Sequence, residues 1–433
     1  MRKNYFLLTA VALLMSVQII FAQNRSAIDV NQVLVVSGGA FSNPDDFVTV
    51  GTYKPKDGSN TEFNTIFNQS VQSAVVYNHY LYVAAQDSIV AYDIDTYERV
   101  AITFAHGVNQ LAATENKLIA SFWYPNTGDF VKIYNRGDLT EQAVISDISD
   151  EAAGIAIYED KAYVAVPGGW AATTGKLAVI NLEDNSFVEE IDLGSEGAGI
   201  NNIYVYEEND NHYLVTVNKT PWGGTAGYIT KIDLADMSFV STIVSVTLGK
   251  GVGFENDGAT LYALINGGIG SIKVTDVIVS DTVIVAAPAM SIAGAAYDKV
   301  HMQFYVTTTD YASVGEGTIY SMDGVATGNF DAGIAAEAVA IDYRDFESVN
   351  ETFASDAFAF FPNPTSGQVM IANPDRLAVE QIAVSDLTGR VVMTEDVSAT
   401  SQLIVDLSGL NNGMYLVSVI GKGKVFTTKV VKQ

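Results

Sequence analysis

The feature that most constrains this chain is an internal repeat. A short strand pattern, a tight turn and an aliphatic or aromatic strand pattern recur along most of its length. Ala74-Val75-Val76-Tyr77 is followed by Leu81-Tyr82-Val83-Ala84, and Ile155-Ala156-Ile157-Tyr158 by Ala162-Tyr163-Val164-Ala165-Val166. Ile203-Tyr204-Val205-Tyr206 leads in the same way to Tyr213-Leu214-Val215-Thr216-Val217. Taking the second strand as anchor, the unit starts at Val33, Leu81, Leu118, Ala162, Tyr213, Leu261 and Phe304, a mean spacing of about 45 residues. A third apolar run follows, such as Ile89-Val90-Ala91-Tyr92 or Leu177-Ala178-Val179-Ile180, then an Asp/Asn turn and a fourth run such as Arg99 to Phe104. Period-2 patterning, Val/Ile/Tyr richness and Asn/Asp/Gly turns indicate strands. Four strands per unit and about 45 residues per unit fit a seven-bladed β-propeller over residues 28–346.

The ends of the repeat region carry a second clue. Glu337 to Tyr343 reads as a first strand with nothing after it, and Val33 to Val36 as a second strand with nothing before it. Together they would complete one blade from both ends and remove an open sheet edge. Endings such as Val179-Ile180-Asn181-Leu182 and Lys231-Ile232-Asp233-Leu234 resemble those of the YncE-like seven-bladed propellers.

Residues 1–22 read as a signal peptide: Arg2 and Lys3 precede an uncharged run from Phe6 to Phe21, and Ala22 offers the small residue at the cut. No other stretch is long and apolar enough to span a bilayer as a helix, so the mature protein is expected to have no transmembrane segment. There are no cysteines, which excludes disulfides, thiolate catalysis and a lipidated cysteine anchor. The net charge is −27, and residues 23–355 hold 15 basic against 43 acidic residues. Such a surface repels nucleic acid and anionic lipid.

Composition shifts after Arg344. Residues 347–357 read as a linker, and residues 358–433 as a small immunoglobulin-like β-sandwich built from alternating short strands. The Pro362-Asn363-Pro364-Thr365 turn, the Asp386-Leu387-Thr388-Gly389-Arg390 turn, the Gly413-Met414-Tyr415-Leu416 strand start and the basic last strand with Lys429 come in that order. In that arrangement the segment resembles the type A C-terminal sorting domain of the type IX secretion system of Bacteroidetes. The resemblance implies a secreted or outer-membrane cell-surface protein. Its partners would be the type IX secretion machinery and its sortase, with surface lipopolysaccharide as anchor if the remainder is not released.

The search for chemistry is less productive. His79 and His212 fall in turns between first and second strands, and His301 falls near the same place. No histidine pair has metal-ligand spacing. Gly197-Ala198-Gly199 and Gly249-Lys250-Gly251-Val252-Gly253 lack the context of a phosphate-binding loop and read instead as close strand entry near the axis. No catalytic residue, metal or cofactor is indicated.

One arrangement does point to function. Trp123, Trp170 and Trp222, the only tryptophans, fall between second and third strands of three consecutive units, with Tyr124 beside the first. Phe41 and Tyr311 occupy the same loop of two other units, and His106 lies in a loop from a fourth to a first strand. In a propeller both loop types share one face, so these seven residues are expected around one mouth of the central channel. Asp129, Asn218 and Asp310 are polar companions from the same loops. Aromatic rings on loops suit a small molecule, a glycan or a peptide; alternatively the rings pack as lids between blades. The expected function is non-enzymatic ligand binding at the cell surface. A propeller hydrolase or lyase with a channel site, and an adhesion or structural protein, are the other readings. Capture of a corrinoid or another nutrient is suggested by analogy with surface propellers of Bacteroidetes alone.

Overall fold

The structure is a computed structural model. It describes residues 27–168, 173–346, 351–352, 358–373, 376–386, 390–397, 402–421 and 424–433. The expected signal peptide, Trp170 and Gly389 lie outside the described residues. The chain divides into a compact unit Val30–Arg344 and a second unit that includes Asp345–Gln433.

The first unit is a β-propeller. Among the described residues it holds seven four-stranded sheets, six of which run in chain order from inner to outer strand. In the first of these, Ser73–Tyr77 pairs with Tyr80–Ala85, that strand with Ser88–Asp93, and that one with Glu98–Phe104, all antiparallel. The middle strands are buried on both faces, while the outer strand is largely exposed. Alternate residues of the second strand serve opposite neighbours. Leu81, Val83 and Ala85 pack with Leu34, Val36, Val48 and Val50, whereas Tyr82 and Ala84 pack with Val108, Leu111, Leu118 and Ala120. This double burial makes the second strands continuous apolar runs. A fully buried leucine such as Leu81 contributes about 1.5–3 kcal/mol.

Five further apolar clusters repeat this packing between consecutive sheets, and the last one joins Tyr305, Ile319 and Phe330 to Val33, Val35 and Tyr53. The remaining sheet has the order Ala338–Phe346, Ala27–Ser37, Val48–Lys54, Ser59–Ile66. Its inner strand thus comes from the far end of the propeller, as the split pattern in the sequence suggests. Both faces of this sheet are covered, one by the 73–104 sheet and one by the 291–330 sheet, so the array closes on itself.

A polar network pins this seam. The buried Asp342 carboxylate accepts from Asn31 Nδ2 at 2.9 Å, Gln32 Nε2 at 3.2 Å and Arg344 Nε at 2.5 Å. Gln32 Nε2 also donates to the Ile94 carbonyl at 2.9 Å, and Gln32 Oε1 accepts from Thr52 Oγ1 at 2.8 Å and Tyr97 OH at 2.9 Å. Arg344 then reaches Asp95 at 3.0 Å. The amide of Gln32 uses both donor hydrogens and both acceptor sites, which is how a buried polar group avoids a desolvation penalty.

The second unit is a two-sheet β sandwich. One sheet has the order Glu351–Thr352, Lys424–Lys432, Gly413–Gly421, Gln381–Ser385, Val391–Asp396; the other joins Ala359–Phe361, Gln368–Ala372 and Gln402–Asp406. Val369, Ile371, Ile382, Val384, Val405, Val417 and Val419 form its core. Asn363 fastens the Pro362-Asn363-Pro364 turn to the last strand, donating to the Lys429 carbonyl at 2.7 Å and accepting from Val431 N at 2.9 Å. Lys429 itself is exposed, and Tyr415 OH donates to the Asn411 carbonyl at 2.8 Å just before the strand that Gly413 opens. The expected linker 347–357 is not all linker: Glu351–Thr352 pairs in parallel with Lys424 and Val425. Two-residue edge pairing leaves no periodicity for a sequence reading to find.

Candidate functional site

Inner strands enter at the face that carries the loops between second and third strands. Ser73, Leu248 and Ser291, near the starts of three inner strands, pair with Ala84, Ile265 and Thr309 at the ends of their second strands. The aromatic loops therefore begin where the inner strands begin.

Five of the expected aromatic residues are exposed rather than packed as lids. Phe41 is 91% exposed, Trp123 42%, Tyr124 76%, Trp222 100% and Tyr311 52%. Their rings do not touch one another among the described residues. The Trp123 loop is tied to the His106 loop: Trp123 N donates to the Gly107 carbonyl at 3.0 Å, and Asn126 Nδ2 to the His106 carbonyl at 2.8 Å. The His106 ring lies against Phe104, with Nδ1 2.5 Å from Asp87 Oδ1.

Tyr311 is held in a tight turn just after its second strand, Gln303–Thr309. Its backbone is left-handed, φ 61°, an uncommon conformation for a bulky side chain. Thr309 Oγ1 accepts its N–H at 2.8 Å, and the following turn is closed by Asp310. Burial together with the nearby Glu337 carboxylate raises the Tyr311 phenol pKa.

Three sequence assignments change. Asn218 is buried, donates to the Glu196 carbonyl at 2.9 Å and accepts from Thr216 Oγ1 at 2.7 Å, so it braces its loop and does not face a ligand. Asp310 accepts from Ser313 N at 2.7 Å, Ser313 Oγ at 2.7 Å and Ala312 N at 2.9 Å, bonds that lower its pKa to about 2. That is the turn-forming use of an aspartate. His212 lies within the strand Asn211–Asn218, against Tyr158, and not in the turn before it. Asp129 stays in its loop with a left-handed backbone and accepts from Ser146 Oγ at 2.7 Å.

The sequence reading missed the wall of the channel. A cavity of about 220 Å³ opens among the starts of six inner strands, and Gln72, Gln110, Asn202, Lys250 and Glu337 are its polar lining. Gln110, Asn202 and Lys250 are each the third residue of their inner strand. Those strands bulge at these positions, between Val108 and Leu111, Ile200 and Asn202, and Leu248 and Gly251. A bulge breaks the in-out alternation and re-aims a side chain. Gly251 makes room beside Lys250, since a Cβ there would lie 2.2 Å from the Tyr204 hydroxyl oxygen. Asn202 Oδ1 accepts the Gly251 N–H at 3.0 Å. Polar residues recurring at one strand position of the repeat are the signal that marks this wall in the sequence.

Electrostatically the wall is uneven. Burial pushes the Lys250 ammonium pKa well below its ordinary value; Glu337 opposes that shift and Lys219 adds to it. Lys250 Nζ has no hydrogen-bond or ion-pair partner among the described residues. Lys219 is exposed at the start of the Trp222 loop.

No curated protein matches the chain. A quinoprotein alcohol dehydrogenase-like protein from Bacteroides thetaiotaomicron superposes with a TM-score of 0.51 at 14% identity, over 70% of this chain and 76% of that one. The β-propeller domain of Cps50 (Swd1) from Myceliophteria thermophila gives 0.48 at 11% identity, over 68% and 98%. PorZ, a bacterial surface component of the type IX secretion system of Porphyromonas gingivalis, gives 0.43 at 14% identity, over 93% of this chain and 58% of that one. Residues 359–433 match the family model of the secretion system C-terminal sorting domain, so this propeller carries the sorting module of a type IX secretion substrate, the mark of a secreted or surface-attached protein.

Proposed function

We propose that this protein is a non-enzymatic binding protein of the cell surface, a seven-bladed and YncE-like propeller that captures a small ligand at the loop-face mouth of its channel. The observation that carries the reading is the coincidence of exposed Phe41, Trp123, Tyr124, Trp222 and Tyr311 in second-to-third strand loops with a polar-lined cavity at the starts of the inner strands. Apolar walls with a few convergent polar groups are what small-ligand sites are made of. Trp170 and His106 are assigned to the same mouth by their loops. The sorting module would bring the type IX machinery and its sortase as partners, with lipopolysaccharide as anchor.

Two experiments test this reading. Intrinsic tryptophan fluorescence of the purified protein is titrated with a panel of small molecules, soluble glycans and short peptides. Trp222→Ala should weaken the best ligand by about 1 kcal/mol or more; unchanged affinity in Trp123→Ala and Trp222→Ala would remove the aromatic mouth as the site. Deleting residues 358–433 should leave a folded propeller retained in the periplasm, and normal surface levels of the truncated protein would contradict the sorting assignment.

A further inference from the structure

A charge that is partly withdrawn from bulk water loses hydration, and proteins pair or use such groups. In a chain of net charge −27, carboxylates to pair a lysine are abundant. Lys176, Lys231 and Lys273 each have one, at 2.9, 2.5 and 2.6 Å. Lys250 does not. It stands in the channel wall on a bulged strand, with Glu337 lining the same cavity yet not in contact with it.

The Glu337 carboxylate lies near Tyr311, whose phenol pKa it raises together with burial, and it has no hydrogen-bond or ion-pair partner among the described residues. The other lining groups are donors held open. Asn202 uses its Oδ1 on Gly251 N, which orients the amide and leaves Nδ2 without a partner among the described residues. The Gln110 side-chain amide likewise has none. Gln72 differs, because its Oε1 accepts Gln86 N at 2.6 Å and its Nε2 donates to Ser70 Oγ at 2.9 Å. The groups without a side-chain partner are thus one ammonium, two amide donors and the Glu337 carboxylate around a common space of about 220 Å³, with a second cation, Lys219, acting on Lys250.

We infer that the channel mouth is an oxyanion site: the Lys250 ammonium is the counter-charge, and Asn202 Nδ2 and the Gln110 amide are donors, for a carboxylate or phosphate group on the captured ligand. This rests on the loop-face reading and supplies its ligand class. The exposed aromatics would hold the ligand's body while its anionic group enters the channel. Charge-assisted hydrogen bonds of this kind are among the stronger polar contacts, and the acidic outer surface would leave this recess as the attractive point for an anion.

The test uses the full chain with lysines reductively methylated with carbon-13, so that each dimethylammonium gives an NMR signal. The signal missing from Lys250→Met identifies Lys250. Sodium phosphate and sodium acetate are the probes, with sodium chloride at matched ionic strength as control. The inference expects the Lys250 signal to shift saturably with one of the two probes, and its titration midpoint to rise on binding. Response to phosphate alone would mark a phosphorylated ligand, and response to acetate a carboxylate ligand. Affinity measured by calorimetry should fall about 10-fold or more in Lys250→Met, whereas Lys273→Met, at a surface lysine paired with Asp276, should leave it intact; failure of the aromatic mouth is read separately, from the ligand panel with Trp222→Ala. A Lys250 signal that follows ionic strength alone, or undiminished probe binding by Lys250→Met with its melting temperature preserved, would overturn the inference.

Discussion

The propeller contains two groups of polar side chains, one at its closing seam and one in its channel wall, and they are treated in opposite ways. At the closing seam, Asp342, Gln32, Asn31 and Arg344 satisfy one another, and Gln32 has no unused hydrogen-bonding capacity. In the channel, Lys250 and two amides are aimed at a cavity with donors unused. Saturated networks fix a unique arrangement of the chain. Unsatisfied groups are where stability has been given up, and such places tend to be functional. The difference sets the structural polar cluster apart from the proposed binding one without reference to any relative.

The comparison breaks most violently at the seam. Deleting Ala338–Phe346 removes the inner strand of the closing sheet together with Asp342 and Arg344, and exposes both a backbone edge and the apolar face around Val33 and Leu34. Loss of cooperative melting and aggregation on a sizing column are expected. A melt matching the intact protein would mean that the ring does not depend on closure. A single change, Asp342→Ala, leaves Asn31, Gln32 and Arg344 without their acceptor and should cost about 3–5 kcal/mol in urea unfolding; a loss below about 1 kcal/mol would demote the network to a surface feature. At the mouth the effects are small for stability. Trp222→Ala removes a ring that is 100% exposed and should change unfolding by no more than about 0.5 kcal/mol, so any ligand it loses is lost at the site and not through the fold.

Much of this was legible in the sequence, for a physical reason. Second and third strands such as Tyr80–Ala85 and Ser88–Asp93 are buried on both faces, so they stand out as apolar runs that fix the repeat. The split sheet could be read because Glu337–Tyr343 and Val33–Val36 each lack a partner beside them in the chain. Exposed Trp123 and Trp222 could be placed because they sit in loops between recognisable strands. The channel wall could not. Lys250, Asn202 and Gln110 reach the cavity through bulges, and period-2 alternation says nothing about a residue that breaks it. Asn218 and Asp310 misled for the opposite reason: a polar loop residue looks like a ligand contact, yet here each closes its own loop.

The most direct test of the account is the pH dependence of stability of Lys250→Met against the unaltered protein. The Lys250 ammonium pKa is depressed below its ordinary value of 10.5, mainly by loss of hydration in the channel wall. Below the folded value the charge is partly hydrated in the folded state and fully hydrated in the unfolded one, so the full cost is present there. As pH rises from the folded value toward 10.5 the unfolded chain binds more protons than the folded one, and stability of the unaltered protein climbs. Lys250→Met should therefore be the more stable protein below that folded value, with the advantage shrinking as pH rises from it toward 10.5. A variant that is less stable at neutral pH, with a gap that does not change with pH, would show that Lys250 is a structural element of the wall and that the contrast between seam and channel does not hold.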